Sequence, residues 1–369
     1  MSPAADRVEF EFLTVSVVFT LPIAKSMPFL PPSSTAPDSE APPISQNRNK
    51  SKVSLSEQIR LGNSDLMVSR IGLGCWPMSG ISSIGVTDEQ SIATIRAAME
   101  CGIRFFDTAY SYGYDGRSDL VLEEAIRGRR SEVVIAHKVG SHWDSEGKRC
   151  IDGSRQRLMD QAEQCLRRLK TDFVDVMYLH TPDPNTPLEE SANVIRAICE
   201  KGWARYAAVS NVTADQAERF HRVCPIIAIQ PYFNIFQQDA VQLLRPIATR
   251  LNIAMVCYWV LMKGLLAGKL LRDHNFDPND RRLSYPIFQG DAWHRAQDLL
   301  DHLRLLAMEY SCTVAQLVTA WSLNQPGVSV ALVGAKTPQQ IIESAAALQI
   351  ELSNETLTQI GKWIPSEFT

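Results

Sequence analysis

Arg104-Phe-Phe-Asp-Thr-Ala-Tyr-Ser-Tyr-Gly113 reads as the end of a short buried strand running into a turn of small residues. Two aromatics lead into Asp107, and the turn presents Tyr112 before closing at Gly113. An acid at the C-terminal end of a strand, with a phenol five residues on, puts two proton-handling groups on one rim. In a barrel of alternating strands and helices, chemistry collects at that rim. Lys138, His180 and the pair Ser210-Asn211 end three later strand candidates.

Outward from this stretch the pattern alternates strand and helix. Gln58 to Val68 reads as a hairpin with its turn around Gly62–Asp65. Ile71–Cys75 is the first apolar strand. Thr87-Asp-Glu-Gln90 is a capping-box signature opening a helix that Gly102 stops. Strands over 104–107 and 133–138 flank a helix over 118–127. The apolar stripe Leu158, Ala162, Cys165, Leu166, Leu169 marks the next helix. Phe173-Val-Asp-Val-Met-Tyr-Leu-His180 is nearly continuous in apolar residues, as a strand buried on both faces requires.

Helices over 188–201, 213–222 and 239–250 then alternate with strands over 205–209, 226–230 and 253–258. A Gly-, Pro- and charge-containing loop (263–291) precedes helices over 295–310 and 313–325, a strand over 329–333, and helices over 338–348 and 354–363. About eight strand–helix units in one run predict an α/β fold, a (β/α)₈ TIM barrel with an N-terminal β-hairpin and extra C-terminal helices. A doubly wound open sheet is the alternative. Against it, Gly72 and Gly74 lack the third glycine and the following helix of a dinucleotide fingerprint.

Composition sets the bounds. The chain has 369 residues, 45% hydrophobic and 21% charged, with a formal net charge of -4. That balance gives no electrostatic reason to expect nucleic acid or an anionic membrane as a partner. Eight cysteines are scattered without Cys-x-x-Cys or paired ligand spacing. They suit reduced thiols in a cytoplasmic protein, and no metal site is signalled. No stretch reaches the roughly 18 apolar residues of a membrane span. The apolar run over 12–24 is broken by Pro22 and preceded by Glu9 and Glu11, which disfavours a secretory signal. Residues 1–57 read as a disordered leader or an over-extended start, with Met27 as another beginning. Residues 58–369 read as a single barrel.

The chemistry rests on four residue types at one end of successive strands. Lys138 ends an apolar strand, where an ammonium needs a counter-ion, and Asp107 supplies it. A lysine beside a phenol lowers the tyrosine pKa, which would poise Tyr112 as a general acid–base. His180 could donate a hydrogen bond to a carbonyl oxygen. Singly, each has a plainer reading as a solvated or structural residue, and Asp107 could merely cap a turn. Together they fit protonation of a carbonyl while another group delivers hydride.

Phe106-Asp-Thr-Ala-Tyr-Ser-Tyr-Gly113, Ile135-Ala-His-Lys138, Tyr178-Leu-His180 and Val209-Ser-Asn211 resemble signature segments of the aldo-keto reductase superfamily. Gln230-Pro-Tyr-Phe-Asn234, Gly264-Leu-Leu-Ala-Gly-Lys269 and Gly334-Ala-Lys-Thr-Pro-Gln-Gln340 continue it, in order, from about residue 58 to 363. The pattern is similar to the bacterial, potassium-channel-β-like branch. The resemblance implies a barrel that binds extended NADPH without a Rossmann motif and reduces aldehydes or ketones.

The same resemblance implies roles. Tyr112 would donate the proton, Lys138 and Asp107 would tune it, and His180 would orient the substrate carbonyl. Ser210, Asn211 and Gln230 would hold the nicotinamide carboxamide, with Tyr258 stacked on the ring. Leu261, Gly264 and Lys269 would line the pyrophosphate. Gly334, Lys336, Gln340 and Glu343 would serve the adenosine end, with Lys336 facing a 2′-phosphate and so favouring NADP over NAD. The sequence departs from the family at Tyr258-Trp-Val-Leu261, where Tyr-Ser-Pro-Leu is usual, and at Ser344, where Asn is frequent.

Trp76, Tyr110 and Trp143, with the 263–291 loop, are expected to form an aromatic, uncharged substrate wall suited to apolar carbonyls. Two rival readings remain at this level. One is a cofactor-binding regulatory protein of the same fold, like the β subunits of potassium channels, which typically carry Asn where this chain has His180. The other is an aldolase forming a Schiff base through Lys138. Natural substrate, reaction direction and oligomeric state are not legible.

Overall fold

Period-two alternation along short strands decides how the chain assembles, because it gives every strand two apolar faces with different partners. A computed structural model of the chain describes residues 58–364, with 82–84 and 279 excepted, so the reading of 1–57 as a leader lies outside the described residues. A hairpin of β1 (Gln58–Arg60) and β2 (Met67–Ser69) comes first. β3 (Ile71–Gly74), β4 (Phe105–Asp107) and β5 (Val134–Val139) follow. A second hairpin, β6 (Ser141–Trp143) with β7 (Arg149–Ile151), is inserted after β5. The strands β8 (Val174–Leu179), β9 (Ala204–Ser210), β10 (Ile226–Gln230), β11 (Ala254–Cys257) and β12 (Val328–Gly334) complete the set.

β3, β4, β5 and β8 to β12 pair in parallel and close into a barrel. Closure is made by β12 on β3, from Ala331 opposite Ile71 to Gly334 opposite Gly74. That pairing removes the open-sheet alternative.

The crossover helices are α1 (Asp88–Glu100), α2 (Arg117–Ile126), α3 (Arg155–Leu169), α4 (Leu188–Glu200), α5 (Ala214–Val223) and α6 (Asp239–Leu251). They are followed by α7 (Gly290–Glu309), α8 (Val314–Leu323), α9 (Pro338–Ala345) and α10 (Asn354–Trp363). Each helix from α1 to α5 packs on the next, α9 packs on α1, and α10 lies on α7. Thr87 caps α1 by accepting from the Gln90 N–H, and Thr213 with Gln216 forms a full capping box on α5. Among the described residues, no helix is long and apolar enough to cross a membrane.

Outward strand residues such as Phe106, Ile135, Met177, Val209 and Ile229 pack under the helices. Inward ones, including Phe105, Ala136, Tyr178, Ala208, Ala228 and Val256, form a separate cluster inside the barrel. The hairpin residues Leu61, Leu66 and Val68 belong to that inner cluster, so the hairpin plugs the barrel with buried side chains.

Two features differ from the sequence expectation. The β6–β7 hairpin was not anticipated, because its polar Asp144–Lys148 turn carries no apolar alternation. The 263–291 loop contains three 3₁₀ turns (Met262–Ala267, Arg281–Ser284, Pro286–Phe288), and α7 begins at Gly290 rather than near 295.

The barrel interior alternates small and large residues. A Cβ on Gly72 would stand 2.8 Å from both Leu332 Cδ2 and Phe105 Cδ1. Gly72→Ala should therefore overpack the interior and lower stability by about 1–3 kcal/mol. Equilibrium urea unfolding measures it, and an unchanged midpoint would mean that the interior is looser than this packing.

Candidate active site

The inward face turns polar at one end. Two residues beyond Phe105, Ala136, Tyr178, Ala208, Ala228 and Val256 stand Asp107, Lys138, His180, Ser210, Gln230 and Tyr258. The parity that buries the first set aims the second set into the same barrel at its C-terminal mouth.

The turn after β4 carries Tyr112. The Thr108 N–H donates to Ala136 O (2.9 Å), the Tyr110 N–H to Lys138 O (2.9 Å), and the Tyr112 N–H to Ala109 O (2.9 Å). Gly113 closes the turn at φ 106°, where a Cβ would lie 2.7 Å from the Arg117 nitrogen. Behind it, Thr108 Oγ1 donates to Asp119 Oδ1 (2.8 Å), and Asp119 Oδ2 meets His137 Nε2 at 3.2 Å. Both Asp119 and His137 are fully buried, so the turn rests on an inner polar anchor.

Asp107 and Lys138 form an ion pair, with only 2% and 1% of each residue exposed. Lys138 Nζ lies 3.2 Å from the Tyr112 hydroxyl, and Gln230 Nε2 donates to the other Asp107 oxygen (2.7 Å). Burial disfavours the Lys138 charge, but Asp107 and Tyr112 outweigh it and raise the ammonium pKa. For Tyr112 the balance goes the other way. Burial raises the phenol above its ordinary value, and the opposing Lys138 charge does not overcome it. The expectation that Lys138 brings Tyr112 down is thus corrected: desolvation wins.

His180 stands edge-on to Tyr112, with ring centroids 6.0 Å apart. Its Nε2 lies 3.0 Å from Arg149 Nη2. A guanidinium has no acceptor, so Arg149 donates and Nε2 accepts. Burial, Arg149 and Lys138 hold the imidazole pKa well below its ordinary value, so the ring is neutral. The ring nitrogen that could have donated to a carbonyl therefore accepts here, and Nδ1 is buried with no partner among the described residues.

The residues expected around the nicotinamide are neighbours. Ser210 Oγ donates to Gln230 O (2.9 Å), Asn211 Nδ2 to His180 O (3.0 Å), and the Tyr258 hydroxyl to Asn211 Oδ1 (2.7 Å). Asn211 is left-handed at φ 57°. Gln230, expected on the carboxamide, gives a hydrogen of its NH₂ to Asp107.

Farther out, Leu261 precedes a loop with Met262, Lys263 and Gly264 at positive φ. Lys269 pairs loosely with Glu343 Oε2 (3.5 Å), while Glu343 Oε1 is buried without a partner among the described residues. Gln340 Oε1 accepts from the Lys336 N–H (2.8 Å), leaving the Lys336 side chain exposed, with Gly334 two residues before it.

Of the expected substrate wall, Trp76 meets Tyr112 edge-on at 5.1 Å. Trp143 Nε1 donates to Ser111 O (2.8 Å) beneath the same turn. Tyr110 goes elsewhere, its hydroxyl donating to Gln164 (2.9 Å) and Arg168 lying over its ring at 4.5 Å.

Two cations escaped the sequence reading. Arg149 enters from the β6–β7 hairpin, so the wall is not uncharged. Lys263 lies over the rings of Trp259 (4.3 Å) and Tyr285 (4.4 Å), and burial lowers its pKa to about 8. Its only sequence signal was its place beside Gly264; Arg149 had none.

Barrel, mouth and polar cluster together define a (β/α)₈ barrel with a candidate active site at its C-terminal mouth. Residues 70–364 match the aldo/keto reductase family, and the chain belongs to that family. It is 34% identical over 288 residues to the aldo-keto reductase YhdN of Bacillus subtilis, covering 77% of this chain and 86% of that one. A probable voltage-gated potassium channel subunit beta of Arabidopsis thaliana is 32% identical, with 79% and 90% covered. The NADH-specific methylglyoxal reductase of Escherichia coli is 31% identical, with 82% and 96% covered. Among solved structures, the glycerol dehydrogenase of Gluconobacter oxydans superposes with a TM-score of 0.77 at 31% identity, covering 83% of this chain and 94% of the other.

Lys138→Met would leave the Asp107 carboxylate buried with only Gln230 as a donor among the described residues. Urea unfolding should show a loss of about 3–5 kcal/mol. Adding Asp107→Asn to that variant should recover a large part of it, because the uncompensated charge goes. Equal stability of single and double variants would contradict a charge-pair origin.

Proposed function

We propose that this chain is an NADPH-dependent reductase of aldehydes or ketones, with Tyr112 as proton donor. The carrying observation is the Tyr112 hydroxyl held 3.2 Å from Lys138 Nζ, itself paired to Asp107, at the barrel mouth. When bound, NADPH would supply the hydride that reduces the carbonyl carbon. Tyr112 gives its proton to the carbonyl oxygen, and the Lys138 ammonium stabilises the phenolate left behind. Arg149 and His180 form the polar side of the pocket, and Trp76 its apolar side.

The residues suit an extended dinucleotide. Ser210, Asn211 and Tyr258 offer an amide- and ring-binding rim. Leu261, Gly264 and Lys269, joined by Lys263, form a cationic loop appropriate to a pyrophosphate. Glu343 Oε1, buried without a partner among the described residues, suits a donor from the adenosine end, with Gln340 beside it. The preference for NADPH rests on the exposed Lys336 as the point charge for a 2′-phosphate. The E. coli relative is named for NADH, so this preference is tested directly. The free, unpaired cysteines suit a reducing compartment such as the cytoplasm.

Fluorescence titration should give tighter binding of NADPH than of NADH, and aldehydes should drive NADPH oxidation. Tyr112→Phe should keep its NADPH affinity while kcat falls by about 10²–10⁴-fold, the usual worth of a positioned acid. Binding without turnover across aromatic and aliphatic carbonyls would favour a cofactor-binding regulatory protein, a reading in keeping with the relative named as a probable potassium channel subunit.

The pH dependence follows from the shifts. Reduction needs protonated Tyr112, and a raised phenol pKa keeps it so beyond the ordinary value of about 10. His180 is already neutral, and Lys138 remains charged. With saturating NADPH, kcat for reduction should stay flat from about pH 7 to 9, whereas alcohol oxidation, which needs the phenolate, should climb with pH. A reduction rate falling through pH 8 would show that another group carries the proton.

A further inference from the structure

Among the described residues, Arg149 is a cation with no carboxylate to pair with. Its Nη2 donates to His180 Nε2 (3.0 Å) and Ser141 Oγ (3.2 Å), and its Nε is buried with no partner among the described residues. No ion pair to an aspartate or glutamate is formed by it among the described residues, in contrast to Lys138, whose ammonium sits on Asp107. Burial opposes the Arg149 charge, and the phenols of Tyr112, Tyr258 and Tyr285 are the groups that offset it. An arginine keeps its proton even so. A half-buried charge held beside neutral groups is costly, and an incoming anion relieves that cost. Nη2 has given its two hydrogens to His180 and Ser141, so the N–H groups of Nε and Nη1 are left to receive the oxygens of a carboxylate.

The location narrows the class further. On the reductase reading, the reacting carbonyl lies between the Tyr112 hydroxyl and the His180 ring. The guanidinium reaches that ring at Nε2, so an oxygen of a substrate lying against His180 would stand within its reach. A carboxylate one bond from the carbonyl carbon meets Arg149 while the carbonyl oxygen meets Tyr112. Trp76, edge-on to Tyr112, is left for the apolar remainder of the molecule.

We infer that Arg149 binds the carboxylate of a 2-oxo acid, so that 2-oxo acids are reduced in preference to uncharged ketones of the same size. The reaction balances as hydride from the reduced nicotinamide to the keto carbon and a proton from Tyr112 to its oxygen. The product is a 2-hydroxy acid, and the carboxylate is unchanged. This inference rests on the reductase reading of the same site.

Benzoylformate, its uncharged methyl ester and 4-nitrobenzaldehyde, each with NADPH and the full chain, test it. Wild-type kcat/KM should favour the acid over the ester by at least about tenfold, the scale of one charge-assisted hydrogen bond. That comparison needs no variant to fold. Arg149→Met should cut kcat/KM for the acid by about 100-fold, mainly through KM, a loss at least about tenfold greater than the one it causes for the ester. Arg149→Lys, which keeps the charge and loses the fork, should fall between them.

No preference for the acid in the wild type, with nitrobenzaldehyde still reduced, overturns this inference alone. Equal losses for acid and ester in Arg149→Met also overturn it, by reducing Arg149 to an orienter of His180. No turnover with any of the three sinks the reductase reading, and this inference with it.

Discussion

An ammonium closed off from water inside a barrel has to be compensated where it stands, and the pair of Lys138 with Asp107 is the condition on which the site depends. The pair brings β4 and β5 into one electrostatic unit. It occupies one Asp107 oxygen, leaves the other for Gln230 from across the barrel, and sets the distance at which Lys138 addresses Tyr112. Neighbouring strands supply the two charges, and a strand on the other side of the barrel supplies the neutral donor. Three separate parts of the chain are therefore held in register by one carboxylate.

The same compensation explains why the cluster tolerates so many buried polar atoms. The inward side chains on the plugged side are mainly apolar, from the hairpin residues Leu61, Leu66 and Val68 up through Phe105 and Ala136, with Tyr178 bringing a hydroxyl among them. The polar groups begin one step farther along each strand and are bonded mainly to one another. The interior thus passes from hydrocarbon to a hydrogen-bonded layer within two residues. His180 fits this gradient as a neutral ring, and Tyr112 as a protonated phenol, because burial works against charge at both.

Much of this was legible in the sequence. Runs such as 173–180 announce buried parallel strands, and acid, lysine and histidine at consecutive strand ends announce a shared rim. The helix starts at Thr87 and Thr213 follow from local hydrogen-bond chemistry that spacing reveals. What was not legible depends on distances between segments far apart in the chain. Gln230 is drawn to Asp107 across 123 positions. Arg149 arrives on a hairpin whose residues show no periodic apolar signal. The Tyr112 pKa was misjudged because a neighbouring lysine can be read from sequence, whereas the depth of burial that outweighs it cannot. Tyr110 looked like a pocket residue by position, yet the groups that claim it, Gln164 and Arg168, belong to α3.

The alternation of strand faces has a consequence for how such a chain can change over evolutionary time. His137 and Lys138 are adjacent, the first facing the helices with Asp119 and the second facing the barrel lumen. One residue gained or lost within β5 would exchange them. It would thrust the lysine among apolar helix contacts and strand Asp107 opposite nothing. Single-residue replacements at the mouth change the pocket one group at a time, whereas a frame slip inside a strand dismantles two polar networks at once. Length variation is therefore tolerable only in connections such as the β6–β7 hairpin and the 263–291 loop, the same places that carry Arg149 and Lys263. New specificities can arise there by insertion and deletion, while the lumen diversifies by substitution alone.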